Sequence, residues 1–234
     1  MRAGPGTNHE LADNARLFRS LARVPMPHIV LLGDSIFDNA AYTDGGPDVV
    51  SQLRGLLPTG WSASLAAVDG SQAADIAAQA TAVGAQATHL VLSVGGNDAL
   101  MASGLLDEPV YSSADALRLI GASVREFETR YRAAVAACLA RGLPLALCTI
   151  YHGNFPDPDY RERVVVALTA FNDAIVRAAC AHGLDVIDLR AVCDLPQDYA
   201  NPIEPSSIGG AKIARAIAGV VTGASAPRAR LFGA

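Results

Sequence analysis

The stretch "HIVLLGDSIFDN", residues 28–39, sets an unbroken apolar run of strand length against a Gly-Asp-Ser stop. Apolar residues without alternation suit a parallel strand buried on both faces. Gly33 permits a tight turn at the strand end, and Ser35 then stands on the rim of whatever sheet the strand joins. The pattern recurs. "WSASLAAV" (61–68) ends at Asp69-Gly70, "HLVLSV" (89–94) at Gly95-Gly96, and "LPLALCTI" (143–150) near Tyr151-His152-Gly153. "LDVIDL" (184–189) follows "AHG", a helix stop. Helical patterns are predicted between them, over 47–57, 72–83, 113–141, 160–181 and 207–221, and over Leu11–Leu21 near the start.

This βαβ alternation predicts an α/β fold: five parallel strands, helices on both faces, right-handed crossovers. No linker or internal repeat interrupts it. The expected organisation is an N-terminal arm with a short helix (1–25), one domain (26–221) and a C-terminal tail (222–234).

Bulk composition narrows the function. Of 234 residues, 51% are hydrophobic and 18% charged, which is ample for a sizeable core. A net charge of -5 argues against a nucleic-acid binder, which would carry a basic face. Lys212 is the only lysine, and no function is read from that bias. The cysteines Cys138, Cys148, Cys180 and Cys193 form no C-x-x-C pair and no zinc spacing with histidine. No metal or organic cofactor is implied. The N-terminal residues lack the apolar core of roughly 7–15 residues that marks a secretory signal. No stretch holds the ~18 consecutive apolar residues of a membrane span. The expectation is a cytoplasmic protein without a span, acting on a small molecule. Oligomeric state is not legible.

Open parallel sheets bind ligands at the carboxyl ends of their strands. That rim collects Gly33-Asp34-Ser35, Asp69-Gly70-Ser71, Gly95-Gly96-Asn97-Asp98, Tyr151-His152-Gly153-Asn154, and a longer loop from about 194 to 207. A dinucleotide site would need G-x-G-x-x-G after the first strand, which "GDSIFD" does not supply.

The ordered blocks "GDS" (33–35), a glycine closing the second strand in "VDGS" (Gly70), and "GGND" (95–98) resemble the SGNH, or GDSL, hydrolase superfamily over residues 26–221. The resemblance implies a flavodoxin-like α/β/α sandwich and an ester or acylated substrate. It also implies Ser35 as nucleophile, with an oxyanion hole from the backbone N–H groups of Ser35 and Gly70 and the Asn97 side chain. Asp38 and Asp98 read as turn and cap residues. The chain departs from the family in the last block, usually D-x-x-H. In "NPIEPSSIGGAKIA" the aspartate position is Asn201 and the histidine position is Glu204.

Three readings follow. Glu204 acts as a non-standard base, although the helix start after it should favour its ionised form and keep it weak. Alternatively, His152 substitutes. His28 and His89 begin strands and His182 precedes one, so these belong at the opposite edge; His9 lies in the arm. In the third reading the site is weak or inactive and binds a ligand. Tyr151 and Phe155 are candidate substrate walls, and 100–112 is either a partly apolar wall or a plain connector.

Overall fold

Side-chain alternation along the strands decides the layering. In the computed structural model, which describes residues 26–223, β1 (His28–Gly33) turns Val30 and Leu32 to one face and Ile29 and Leu31 to the other. It is joined by β2 (Ser62–Leu65), β3 (His89–Ser93), β4 (Leu145–Cys148) and β5 (Asp185–Ile187). All neighbours are parallel, in the order β2-β1-β3-β4-β5. This is the flavodoxin-like doubly wound order, with its switch point between β1 and β3.

The helices are α1 (Val49–Leu56), α2 (Ile76–Ala82), α3 (Gly96–Met101), α4 (Ser113–Leu139), α5 (Pro158–His182), α6 (Leu189–Val192) and α7 (Ser207–Val221). Helices α2, α4 and α5 bury their apolar sides on the Val30/Leu32 face, through Ile76, Phe127, Tyr131, Phe171 and Ile175. Helices α1 and α7 cover the Ile29/Leu31 face with Val49, Leu53, Ile213 and Ile217. The expected three-layer α/β/α sandwich is therefore present. The arm, with its expected helix Leu11–Leu21, and tail residues 224–234 lie outside the described residues.

Several boundaries differ from expectation. β2 stops at Leu65, because Ala66 N and Ala67 N both donate to the Leu31 carbonyl, at 2.8 and 2.9 Å, and the even ladder ends there. The 72–83 segment enters through a 3-10 turn (Ala73–Asp75) before α2. The "GGND" block, expected as a loop, opens α3: Gly95, at φ +121°, makes the turn, and the helix begins at the next residue.

By length and composition α5 could cross a membrane, with a mean hydropathy of 1.6 over its most apolar window. Scattered charges such as Arg163, Asp173 and Arg177 break its apolar runs, so a count of consecutive residues misses it. Its apolar side packs on α4 and the sheet, through Phe171, Ala174, Ile175 and Ala179, as a core helix does. The four cysteines are free thiols, and among the described residues no group of His, Cys, Asp and Glu could hold a metal ion.

Candidate active site

The nucleophile turn follows from a steric demand at Gly33. Its φ is +135°, and a Cβ there would lie 1.8 Å from the Ser93 carbonyl oxygen. Only glycine lets β1 pass so close to β3 and then turn. Asp34 N donates to that same carbonyl at 3.2 Å, and the Asp34 carboxylate accepts from Ile36 N at 3.1 Å. Ser35 follows, buried, with no acceptor for its backbone N–H among the described residues.

A buried amide that the sequence did not advertise braces this turn. Gln79, on α2, accepts from Gly33 N and donates to Gly33 O, both at 2.8 Å, and also donates to Ser71 Oγ at 3.1 Å. It thereby ties the turn after β1 to the turn after β2. Asn97 Nδ2 donates to the Ser71 carbonyl at 3.0 Å, which fixes the third rim loop against the second and leaves one amide hydrogen free. Gly70, at φ +80°, is exposed and its N–H has no acceptor among the described residues. Asp98 does not face the serine. It is buried, accepting from Ala73 N at 2.9 Å and pairing with Arg130 Nε at 3.2 Å.

The last rim loop delivers Glu204. Asn201 does not reach the Glu204 carboxyl; its Oδ1 accepts from Ile203 N and Glu204 N, both at 2.9 Å, and so sets the backbone turn. Tyr151 OH donates to the Ile203 carbonyl at 2.5 Å, and Asn39 Nδ2 to the Pro205 carbonyl at 3.2 Å. The lone lysine also serves this loop: Lys212 Nζ lies 2.7 Å from Asp198 Oδ2, a fully buried carboxylate.

The Glu204 side chain is buried, at 6% exposure, and Oε2 has no hydrogen-bond partner. Burial pushes its pKa up; the Ser35 hydroxyl, as a hydrogen-bond donor, pulls it partly back, and the Asp69 charge raises it further. Serine and carboxyl face each other without being drawn into a tight, well-aligned bond; such contacts commonly tighten only when substrate binds. The helix-start effect expected to keep Glu204 a weak base is outweighed by burial. Ser206, not Glu204, caps α7, and desolvation outweighs a dipole that fades within a turn. Asp34, also buried, is pushed up to about 8, chiefly by burial, against its bond from Ile36 N, with the Glu204 and Asp98 charges adding to the rise.

A single cavity of about 120 Å³ gathers Ser35, Asn97, Glu204 and His152 in its lining, with Asp34, Tyr151 and Phe155. Gly70 lies outside that lining and connects to it through the neighbouring Ser71. His152 has its pKa lowered by burial and by Arg190, with Asp188 opposing, so its charged neighbours belong to the β5 side of the rim. His28 and His89 sit where the topology put them. The His28 ring meets Ser62 Oγ and Ser64 Oγ, each at 2.8 Å, and His89 meets Thr88 Oγ1 at 2.9 Å, at the starts of their strands. The 100–112 segment contributes Leu100, Ala102, Leu105 and Leu106 to the cavity, so its first half is a wall.

Comparison with known proteins agrees with this fold. Residues 31–209 match the model of the GDSL-like lipase/acylhydrolase family. Among solved structures, the chain is similar to a lipase/acylhydrolase from Enterococcus faecalis (19% identity, 88% of this chain and 100% of that one, TM-score 0.60). It is also similar to the lipase Lip_vut3 from a goat rumen metagenome (17%, 82% and 95%, 0.63), and to the acetyl xylan esterase AlAXEase (18%, 83% and 99%, 0.60). These likenesses are of fold. No curated protein matches the sequence.

Proposed function

The chain belongs to the GDSL-like lipase/acylhydrolase family, and we propose on that footing that it hydrolyses esters with Ser35 as nucleophile and Glu204 as base. The observation that carries this reading is the buried Glu204 carboxyl facing the Ser35 hydroxyl, at the position that the sequence resemblance aligns with the family's histidine. An unperturbed glutamate is a weak base, and efficiency rises as its pKa climbs toward the operating pH. Burial supplies that rise here.

Glu204 takes the Ser35 proton as Oγ attacks the ester carbonyl carbon. Negative charge develops on the former carbonyl oxygen, where the N–H groups of Ser35 and Gly70 and the free hydrogen of Asn97 Nδ2 serve as donors. As the tetrahedral intermediate collapses, Glu204 returns its proton to the leaving alkoxide and the acyl group stays on Ser35. Water, deprotonated by Glu204, then attacks the acyl carbon; the bond to Ser35 Oγ breaks as Glu204 passes that proton to it, and the acid is released. Unlike an imidazole, the carboxylate becomes neutral on accepting the proton, so no ion pair with a third residue is required. That fits the use of Asn201 as a backbone cap. His152 lines the same cavity as a substrate contact.

No group orients Glu204 Oε2, so turnover is expected below that of a complete triad, by up to ~10⁴-fold. Hydrolysis of p-nitrophenyl butyrate by the wild type and by Ser35→Ala tests the assignment. Loss of turnover in the variant supports it. Equal rates in the two proteins refute it and favour a ligand-binding role for the same cavity.

A further inference from the structure

Away from its polar mouth the cavity is walled by aliphatic and aromatic side chains. Leu105 and Leu106 come from the 3-10 turn after α3, Ile120 from α4, and Val164, Leu168 and Phe171 from α5. Phe171 packs against Phe127 of the core at a ring-centroid distance of 5.1 Å, the planes tilted by 40°. The hydrolase reading names no substrate, and this wall restricts it.

We propose that the cavity takes the acyl chain of the substrate, a straight saturated chain of up to about six carbons counted from the carbonyl. The inference rests on Ser35 being the nucleophile. A cavity of ~150 Å³ with such a lining holds benzene, or about 25 Å³ per carbon. The 120 Å³ here, which includes the polar mouth, then sets an upper limit of about five carbons beyond the carbonyl at Ser35. The portion held in the cavity is the acyl rather than the alcohol part, because the alcohol must depart while the acyl group remains bonded to Ser35 and water enters. A sugar acetate fits poorly. Its methyl group would leave the walls unfilled, and hydroxyl groups placed against them would lose their hydrogen bonds.

Ethyl hexanoate and hexyl acetate have the same composition and differ only in which side of the ester carries the chain. Their kcat/KM values on the wild type separate the possibilities. Each methylene newly buried is worth about fourfold, so ethyl hexanoate should exceed ethyl acetate by between ~10-fold and ~200-fold. It should also exceed hexyl acetate at least tenfold. Ala167 and Ala102 both line the cavity, on different elements. Ala167→Phe should cut the hexanoate-to-acetate ratio toward one, and Ala102→Leu provides the same test should the first variant fail to fold. Parity of the two isomers, preference for hexyl acetate, or a ratio untouched in a folded variant overturns the proposal.

A calorimetric titration of Ser35→Ala with ethyl hexanoate and ethyl acetate separates this inference from the hydrolase reading. If the wild type hydrolyses neither ester but the variant binds ethyl hexanoate at least tenfold tighter, the nucleophile reading fails and the chain-binding cavity stands. If the variant shows no such preference, the cavity proposal fails whatever the turnover.

Discussion

Replacing Asp34 with asparagine should remove a loss of stability that accompanies rising pH between pH 4 and 8. Asp34 is 2% exposed, and its pKa is raised to about 8. In the unfolded chain it returns to roughly 3.9. Between those two values the folded protein holds a proton that the unfolded chain has released. Stability therefore falls as pH rises through this window, at about 1.4 kcal/mol per pH unit. Below pH 4 both states are protonated and the penalty vanishes. From pH 5 to pH 7 the wild type should lose about 3 kcal/mol relative to Asp34→Asn. The difference between the proteins is what matters, because the lowered pKa values of His28, His89 and His152 tilt the wild-type curve the other way. The amide retains an acceptor for Ile36 N, so the turn survives. Urea unfolding of both proteins at pH 5, 6 and 7 reads the effect. Parallel stability curves would refute the claim that Asp34 is held neutral.

Three further perturbations follow from the geometry. Gly33→Ala places a Cβ 1.8 Å from the Ser93 carbonyl at a φ of +135°; it should cost more than ~4 kcal/mol and yield little soluble, folded protein by circular dichroism. Lys212→Met removes the ammonium 2.7 Å from the fully buried Asp198 carboxylate. Stranding that charge should cost about 3 kcal/mol, or roughly 6–12 °C in Tm at this chain length, read by scanning calorimetry. Asn97→Ala deletes one oxyanion donor and should lower kcat ~10²–10³-fold with little change in KM; a change confined to KM, in steady-state kinetics, would count against that role.

The strands and the rim were legible because their signals are local. An apolar run closed by glycine marks a parallel strand wherever it falls, and the rim residues follow from where such runs end. The histidine sorting worked for the same reason: a residue at a strand start lies at the amino edge whatever the packing. What escaped were features that depend on partners distant in the chain. Gln79 sits unremarked in "IAAQATA", and only the fold brings its amide to Gly33, 46 residues away. Lys212 reads as a compositional oddity until Asp198 is found buried beneath it. Glu204 is the sharpest case. Its neighbours in sequence argue for an ionised carboxylate at a helix start, whereas its neighbours in space remove it from water and raise its pKa.

The central claim is that Glu204 takes the proton from Ser35, and the pH dependence of kcat/KM tests it most directly. For p-nitrophenyl butyrate between pH 4 and 9, the wild type should gain activity as pH rises through an ionisation above the ordinary 4.5 of glutamate, which belongs jointly to the neighbouring Glu204 and Asp34 carboxyls. Glu204→Gln should lose at least ~10²-fold and the acid limb with it, while His152→Ala keeps the limb. An acid limb that persists in Glu204→Gln and disappears in His152→Ala would contradict the account and transfer the base role to His152.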